Sequence, residues 1–585
     1  MSNFCACRIQ SIHTSHGKFH DIQFPRPNHY KKQTPTLHFL IHSSASPLFW
    51  KFINTSAYPV MPVELMYLLL LLLLPLFFLL LTSKKSKTQS PYLPKSYPLI
   101  GSYISIMENK DRRIQWISDI LQSSPSATFV LNRPLGHRSV LTANPANVQH
   151  ILKTHFHIYH KGKDSHQLLF DFLGDGIFNT DGETWKFQRQ VASHEFNTRS
   201  LKNFVEHVVD TELSGRMIPI LSTAAADKTV LDLQDILQRF AFDNICKIAF
   251  GYDPEFLLPT LPPAEFVQAF EFCVKASTER FNGIFPLIWK IKRFFNVGSE
   301  KELRVNVSKV RDFAKNIIKE KKEELRFKKS LESVDILSRF LSSGHSDENF
   351  VTDVVISFIV AGRDTTSAAL TWFFWLVSQN PKTEHEILKE ITEKTETMTA
   401  YDEAKEMSYT HAALCETMRL YPPVPVDAKM AMEDDVLPDG TAVKKGMRVA
   451  YHPYAMGRLE ELWGPDWEEF KPERWLEKDA DTKKWKFVGR DPYTYPVFQA
   501  GPRICLGKEM AFLQMKRVVA GVLRRFKVVP AVEDGDDPVF IAYLTGKMKG
   551  GFPVRIEERE ELVAGAFADK WGICSSEDRE RESQR

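Results

Sequence analysis

One ten-residue stretch, Phe498-Gln-Ala-Gly501-Pro-Arg503-Ile-Cys505-Leu-Gly507, constrains this chain more than any other. It presents a single cysteine from a loop that opens a helix. Gly501 and Gly507 let the backbone turn and lie close against a flat ligand. Arg503 places a cation where a carboxylate at that ligand's edge would sit. From Lys508 to Phe526 the chain has no proline and reads as a helix. Its first N–H groups and its dipole favour the sulfur as an anion. A lone cysteine is most often a small buried hydrophobe. Here the flanking residues make Cys505 a candidate thiolate ligand for a haem iron, with Phe498, Gly501, Arg503 and Gly507 as its cradle. A thiolate opposite a vacant iron position pushes electron density that favours O–O cleavage.

Composition is that of an ordinary globular protein, and a net charge of +3 gives no reason to expect nucleic acid. The seven cysteines, at 5, 7, 246, 273, 415, 505 and 574, are scattered without a CxxC. That argues against a zinc site or a disulfide framework and favours a reducing compartment. Leu65 to Leu81 leaves the soluble pattern, with 17 residues free of charge and only Pro75 as a breaker. As a helix it would span about 26 Å, close to the roughly 27 Å core of the endoplasmic reticulum bilayer. A signal-peptide core is the competing reading, but no A-x-A-like site follows. Lys84, Lys85 and Lys87 come next and keep the remainder cytosolic. A single-pass anchor in the endoplasmic reticulum membrane is expected.

Residues 1–60 carry a net charge of +5 on the side that should be lumenal and show no periodicity. They read as a mispredicted gene start or a disordered targeting extension, with Met61 or Met66 as alternative starts. Residues 82–101 are basic and then proline-rich, a stiff linker ending in Pro91-Tyr-Leu-Pro94-Lys-Ser-Tyr-Pro98-Leu-Ile-Gly101. One catalytic domain is expected over 102–557, and a charged, frayed tail over 558–585. Helical patterns dominate it: Thr211–Leu221, Leu231–Ala249, Val305–Lys328, Val351–Ser378, Ser408–Arg419 and Lys508–Arg525. Short strand signals lie at Ser139–Leu141 and Val443–Tyr451. The fold class is therefore mainly α with small β-sheets, after one N-terminal transmembrane helix.

Val351–Ser378 holds Ala361-Gly362-Arg363-Asp364-Thr365-Thr366. Gly, Asp and Thr favour non-helical alternatives, and Thr365 can bond back to the carbonyl of Ala361. The expected result is a loosened turn that admits dioxygen over the iron, with Asp364 and Thr365 relaying protons. A plain glycine packing contact is the other reading. Glu416 and Arg419 lie three apart on one helical face, and Phe470-Lys-Pro-Glu-Arg474-Trp475 follows. Trp185 and Arg189 lie four apart, one above the other on a helix. Lys508, Lys516, Arg517, Arg524 and Arg525 suggest a basic face on the cysteine-loop side for an acidic redox partner, or simply a solvated helix.

Together these motifs resemble the cytochromes P-450 over roughly Pro91 to Ile556. The resemblance implies that fold, a haem b cofactor with Cys505 as axial ligand, and Trp185, Arg189 and Arg503 on a haem propionate. It implies that Arg474 joins Glu416 and Arg419 in a buried structural cluster; Trp475 stands where Phe is usual. It implies electrons from NADPH through a separate NADPH-dependent reductase. Finer wording around Ala361–Trp375, Lys508–Lys516 and Met548–Val554 is similar to plant family 94, most of all its A-type fatty-acid omega-hydroxylases. Ala361 stands where related animal enzymes often carry a haem-esterifying Glu, so no covalent haem link is expected. Jasmonoyl-isoleucine is the alternative substrate. A haem-thiolate isomerase or a non-catalytic haem-binding membrane protein are alternatives of another class, disfavoured by Asp364 and Thr365. Terminal attack requires a pocket that selects by shape, and Phe170, Phe172, Leu173, Phe178, Val424 and Leu544 are the candidate walls for a fatty acid.

Overall fold

A computed structural model describes residues 93–559, apart from short internal stretches, together with 71, 73 and 74. Residues 1–79 and 80–585 cluster as separate units. Of the first, Leu71, Leu73 and Leu74 are helical and exposed. The remainder of the expected anchor, the 1–60 extension and most of the C-terminal tail lie outside the described residues. Among those described, no helix is long and apolar enough to cross a membrane.

The elements that matter for the site are, in chain order, α1 (Arg113–Ser123), β1 (Thr128–Asn132), β2 (Arg138–Thr142), β3 (Tyr159–His160), α2 (Gly182–Ser193), α3 (Leu233–Phe250), α4 (Glu265–Asn282), α5 (Gly298–Phe327), α6 (Glu348–Ser378), α7 (Ser408–Leu420), β4 (Asp427–Ala431), β5 (Arg448–Tyr451) and α8 (Lys508–Arg525). Helix α6 is buried along most of its 31 residues, as its all-round apolar character requires. Asp347 caps it by accepting from Asn349 N–H at 3.1 Å. Helix α3 packs along it, capped by Asp232 and closed by Gly251 at φ +63°.

Gly362 is where these two helices press together. A Cβ there would lie 2.5 Å from Cγ1 of Ile245 on α3. The expected bond from Thr365 Oγ1 to Ala361 O is present at 2.7 Å. The helix nevertheless runs unbroken through both residues. The glycine makes the packing contact without a loosened turn, and it also lines the cavity into which Cys505 opens.

Five of the strands form one sheet in the order β1-β2-β5-β4-β3. β2 and β5 run parallel, with Val140 opposite Val449, and β4 is antiparallel to β5, with Asp427 opposite Tyr451. The strand expected over Val443–Tyr451 is two pieces, Ala442–Val443 and Arg448–Tyr451, parted by a turn at Gly446 with φ +82°.

Three other expectations change. The end of the linker belongs to the domain: Tyr97 and Gly101 exchange two 2.9 Å backbone bonds, and Ser102 N–H donates to Asn132 O at 2.8 Å. The final strand runs to Glu558, and Arg559 is tied by an ion pair to Glu384. Most of the basic face on α8 is internal. Arg517 is buried against Asp210 and Glu403, Arg524 also meets Glu403, Lys516 is buried, and Arg525 is half-buried. Of those five cations Lys508 alone is exposed, because the remaining positions fall on the helix face turned into the fold. Elsewhere, among the described residues, helix Pro286–Phe295 presents an apolar face on which Leu287, Ile288, Ile291, Phe294 and Phe295 are all exposed.

Candidate active site

Cys505 N–H donates to Phe498 O at 2.8 Å and closes the loop ahead of α8. Gly501 has φ +64°, and a Cβ on it would sit 2.0 Å from Leu152 O. The loop can lie this close to the helical turn His150–Thr154 only with glycine there. Gly507, paired with it on sequence grounds, is different: its φ is −85° and a Cβ would meet Phe196 at 3.7 Å. The Cys505 side chain opens into a cavity of about 600 Å³. It is therefore accessible although protein surrounds it. Those surroundings push its thiol pKa up, while Gly507 N–H, Arg189 and Lys508 pull it back toward the thiolate.

Trp185 and Arg189 of α2 reach the same cavity, as do Phe498, Arg503 and Gly507. Arg189 donates to Ile504 O at 2.8 Å. Arg503 lies 4.4 Å over the Trp185 ring and donates to Asp181 Oδ1 and Thr180 O, each at 2.8 Å. Ala361, Gly362 and Thr365 of α6 line the same space. Asp364 does not. Its carboxylate is buried and accepts from Arg363 Nη1 at 2.8 Å and from Thr545 Oγ1 at 3.4 Å. One helical step turns it 100° or so from Thr365, into a cluster with Glu271 and Lys547. Burial raises its pKa there, opposed by Arg363 and Lys547.

The candidate substrate walls divide. Leu173, Phe178, Val424 and Leu544 line the cavity. Phe172 is core, edge-on to Phe270 at 5.3 Å. Phe170 is exposed and faces a separate surface groove with Trp289 and Phe294. In a helix, neighbours in sequence point in different directions, so one apolar run cannot all face one cavity.

The expected Glu416 cluster is formed, and Glu416 and Arg419 are buried. Arg419 Nη2 donates to Glu416 Oε1 at 2.8 Å, and Arg474 Nε to the same oxygen at 3.2 Å. Trp475 Nε1–H donates to Glu416 Oε2 at 2.9 Å, a bond that a phenyl ring could not make. Arg419 also donates to Trp467 O and Glu469 O.

Sequence reasoning missed Asp427 of β4. It accepts from Lys161 at 3.0 Å, Lys429 at 2.8 Å, Gln499 at 2.9 Å and Tyr451 at 3.1 Å. Gln499 lies in the cysteine loop, so this carboxylate fastens the loop to the sheet. Burial would raise its pKa, but Lys161 and Lys429 hold it well below the carboxylate range. No local pattern marks Asp427; the sheet register brings it there.

The cytochrome P-450 family profile matches residues 91–548. The chain belongs to that family. Cytochrome P-450 94A2 of Vicia sativa is 64% identical over 481 residues, covering 82% of this chain and 93% of the relative. Cytochrome P-450 94A1 of the same plant is 63% identical over 468 residues, covering 80% and 91%. Cytochrome P-450 94B1 of Arabidopsis thaliana is 50% identical over 479 residues, covering 82% and 93%. The chain is thus a family 94 member of A type, a haem-thiolate monooxygenase with a redox partner.

The residues present fit the haem. One accessible sulfur opens into a cavity that the guanidiniums of Arg189 and Arg503 and the indole of Trp185 also line, and the loop reaches its place through a glycine-only approach. Cys505 would hold its iron through the sulfur; Arg189, Arg503 and Trp185 would meet its carboxylate edge. When bound, the group supplies the activation of dioxygen. Thr365 faces the cavity with its hydroxyl proton given to Ala361 O, leaving Oγ1 lone pairs to accept a proton donor.

Proposed function

We propose that this P-450 hydroxylates fatty acids at the terminal carbon, using electrons from an NADPH-dependent reductase, on the endoplasmic reticulum membrane. The observation that carries the reading is the cavity itself. Besides Cys505 and Thr365 it is lined by the apolar side chains of Val424, Leu544, Phe178, Leu131 and Ile117. These come from elements distant in sequence, and they give the cavity a mostly apolar wall that suits an alkyl chain. The wording shared with the A-type enzymes supports the same choice. The exposed apolar face of helix Pro286–Phe295 supports contact with lipid.

In this reading Thr365 holds a proton path beside the reacting carbon, and Asp364 is a positioning residue that acts through Arg363. Cavity shape sets which carbon is presented. Microsomes carrying the protein, a plant reductase and NADPH are expected to convert lauric and oleic acids to terminal hydroxy acids. Hydroxylated jasmonoyl-isoleucine as the main product in a mixed incubation would overturn the fatty-acid reading. Val424→Phe, which fills part of the cavity wall, is expected to move hydroxylation away from the terminal carbon or to favour shorter chains. An unchanged product profile by mass spectrometry would remove Val424 from the contact surface.

A further inference from the structure

The cavity has a second charged region, far in sequence from the cysteine loop. Arg113 on α1, Arg133 after β1 and Arg448 on β5 all line it. The sheet explains their meeting. Arg448 pairs with Ser139 of β2, and Arg133 N–H donates to His137 O at 2.8 Å in the turn that joins β1 to β2. Both side chains rest on one residue at the end of α4: Arg448 lies 4.9 Å over the Phe281 ring, and Arg133 Nη2 donates to Phe281 O at 3.4 Å.

Among the described residues, no carboxylate lies within ion-pair distance of any of the three. The acids whose charge reaches Arg448 are Asp427 and Asp164; Asp427 already holds Lys161 and Lys429. Burial, then the neighbouring Arg133, brings Arg113 and Arg448 down to about 10. Crowded, enclosed cations without a counter-anion are unfavourable until an anion joins them. The charges acting on Cys505 are a different set, Arg189 and Lys508.

We propose that Arg113, Arg133 and Arg448 form the seat for the substrate's carboxylate. The identity of that substrate rests on the fatty-acid reading above. Guanidinium forks match a carboxylate in charge and shape. A chain seated by its head there lays its tail along the apolar walls toward Cys505. Head and reacting end are then recognised by different residues, and the far carbon is the one presented.

The test uses full-length, haem-loaded protein and three ligands: lauric acid, its neutral methyl ester, and jasmonoyl-isoleucine. Binding is read from the ligand-induced shift of the haem absorbance. Arg133→Gln and Arg448→Gln are expected to raise the Kd for the acid roughly 10- to 100-fold, with the ester unaffected. An equal loss for acid and ester, or no loss for either, overturns the seat. Loss of haem content in both variants would put the arginines on a haem propionate and also overturn it; Arg113→Gln checks this on a separate element. Wild-type protein that binds jasmonoyl-isoleucine and not lauric acid overturns the fatty-acid reading alone, and the same variants then decide the seat on that acid. Wild-type protein that binds neither acid overturns both.

Discussion

Glu416→Gln is expected to leave almost no haem-loaded protein. Arg419 is buried, and Arg474 is nearly so. Glu416 is the carboxylate they share, and it also accepts from Trp475 and from Lys471 N–H at 3.0 Å. Glutamine keeps the shape but removes the charge, and its amide NH₂ faces donors where an oxygen stood. Removing one partner of a buried ion cluster typically costs about 3–5 kcal/mol. Domains have about 5–15 kcal/mol in total, so much of the stability margin disappears. The reduced-CO difference spectrum of equal amounts of microsomes measures the outcome. A wild-type thiolate-type band, with unchanged thermal inactivation, would show that Arg419 is held adequately by the Trp467 and Glu469 carbonyls and Arg474 by Trp463 O and Asp466.

Gly501→Ala is expected to do comparable damage from the other side of the loop. The left-handed backbone costs an alanine roughly 1–2 kcal/mol. The larger problem is the approach to Leu152, where the obstruction is a backbone oxygen that no rotamer change can move. Relief requires shifting the turn that carries Arg503 and Cys505. Gly440→Ala is the matched control, since it shares the left-handed backbone, at φ +85°, but a Cβ there meets nothing within 4 Å. Haem content should fall steeply in the first variant and stay near wild type in the second. Equal behaviour would mean that the Leu152 contact does not position the loop.

Much of the site was legible because its signals are local. A glycine-flanked cysteine before a helix and a glutamate three residues from an arginine keep their meaning within one or two turns of chain. Helix α8 begins and ends at the expected residues, and α6 begins three residues earlier than expected. What escaped depends on which side of an element a residue finally faces. Asp364 and Thr365 are adjacent, yet one joins a buried ion cluster and the other the cavity. Phe172 and Leu173 part in the same way. The cations of α8 looked like a surface because their partners, Asp210 and Glu403, lie over 100 residues away in sequence. Arg113, Arg133 and Arg448 could not be grouped at all before the sheet brought β2 beside β5.

Helix Pro286–Phe295 begins a few residues after Phe281 and Gly283, which line the cavity. On the proposed reading, an exposed apolar surface a few residues along the chain from the cavity lining would let an amphiphilic substrate dissolved in lipid enter from the bilayer. The concentration the enzyme responds to would then be the mole fraction of substrate in the bilayer, not its amount in the aqueous phase. Apparent KM values would rise in proportion as inert phospholipid dilutes the substrate at constant total concentration. Comparisons among chain lengths would likewise record how each acid partitions as well as how well it fits.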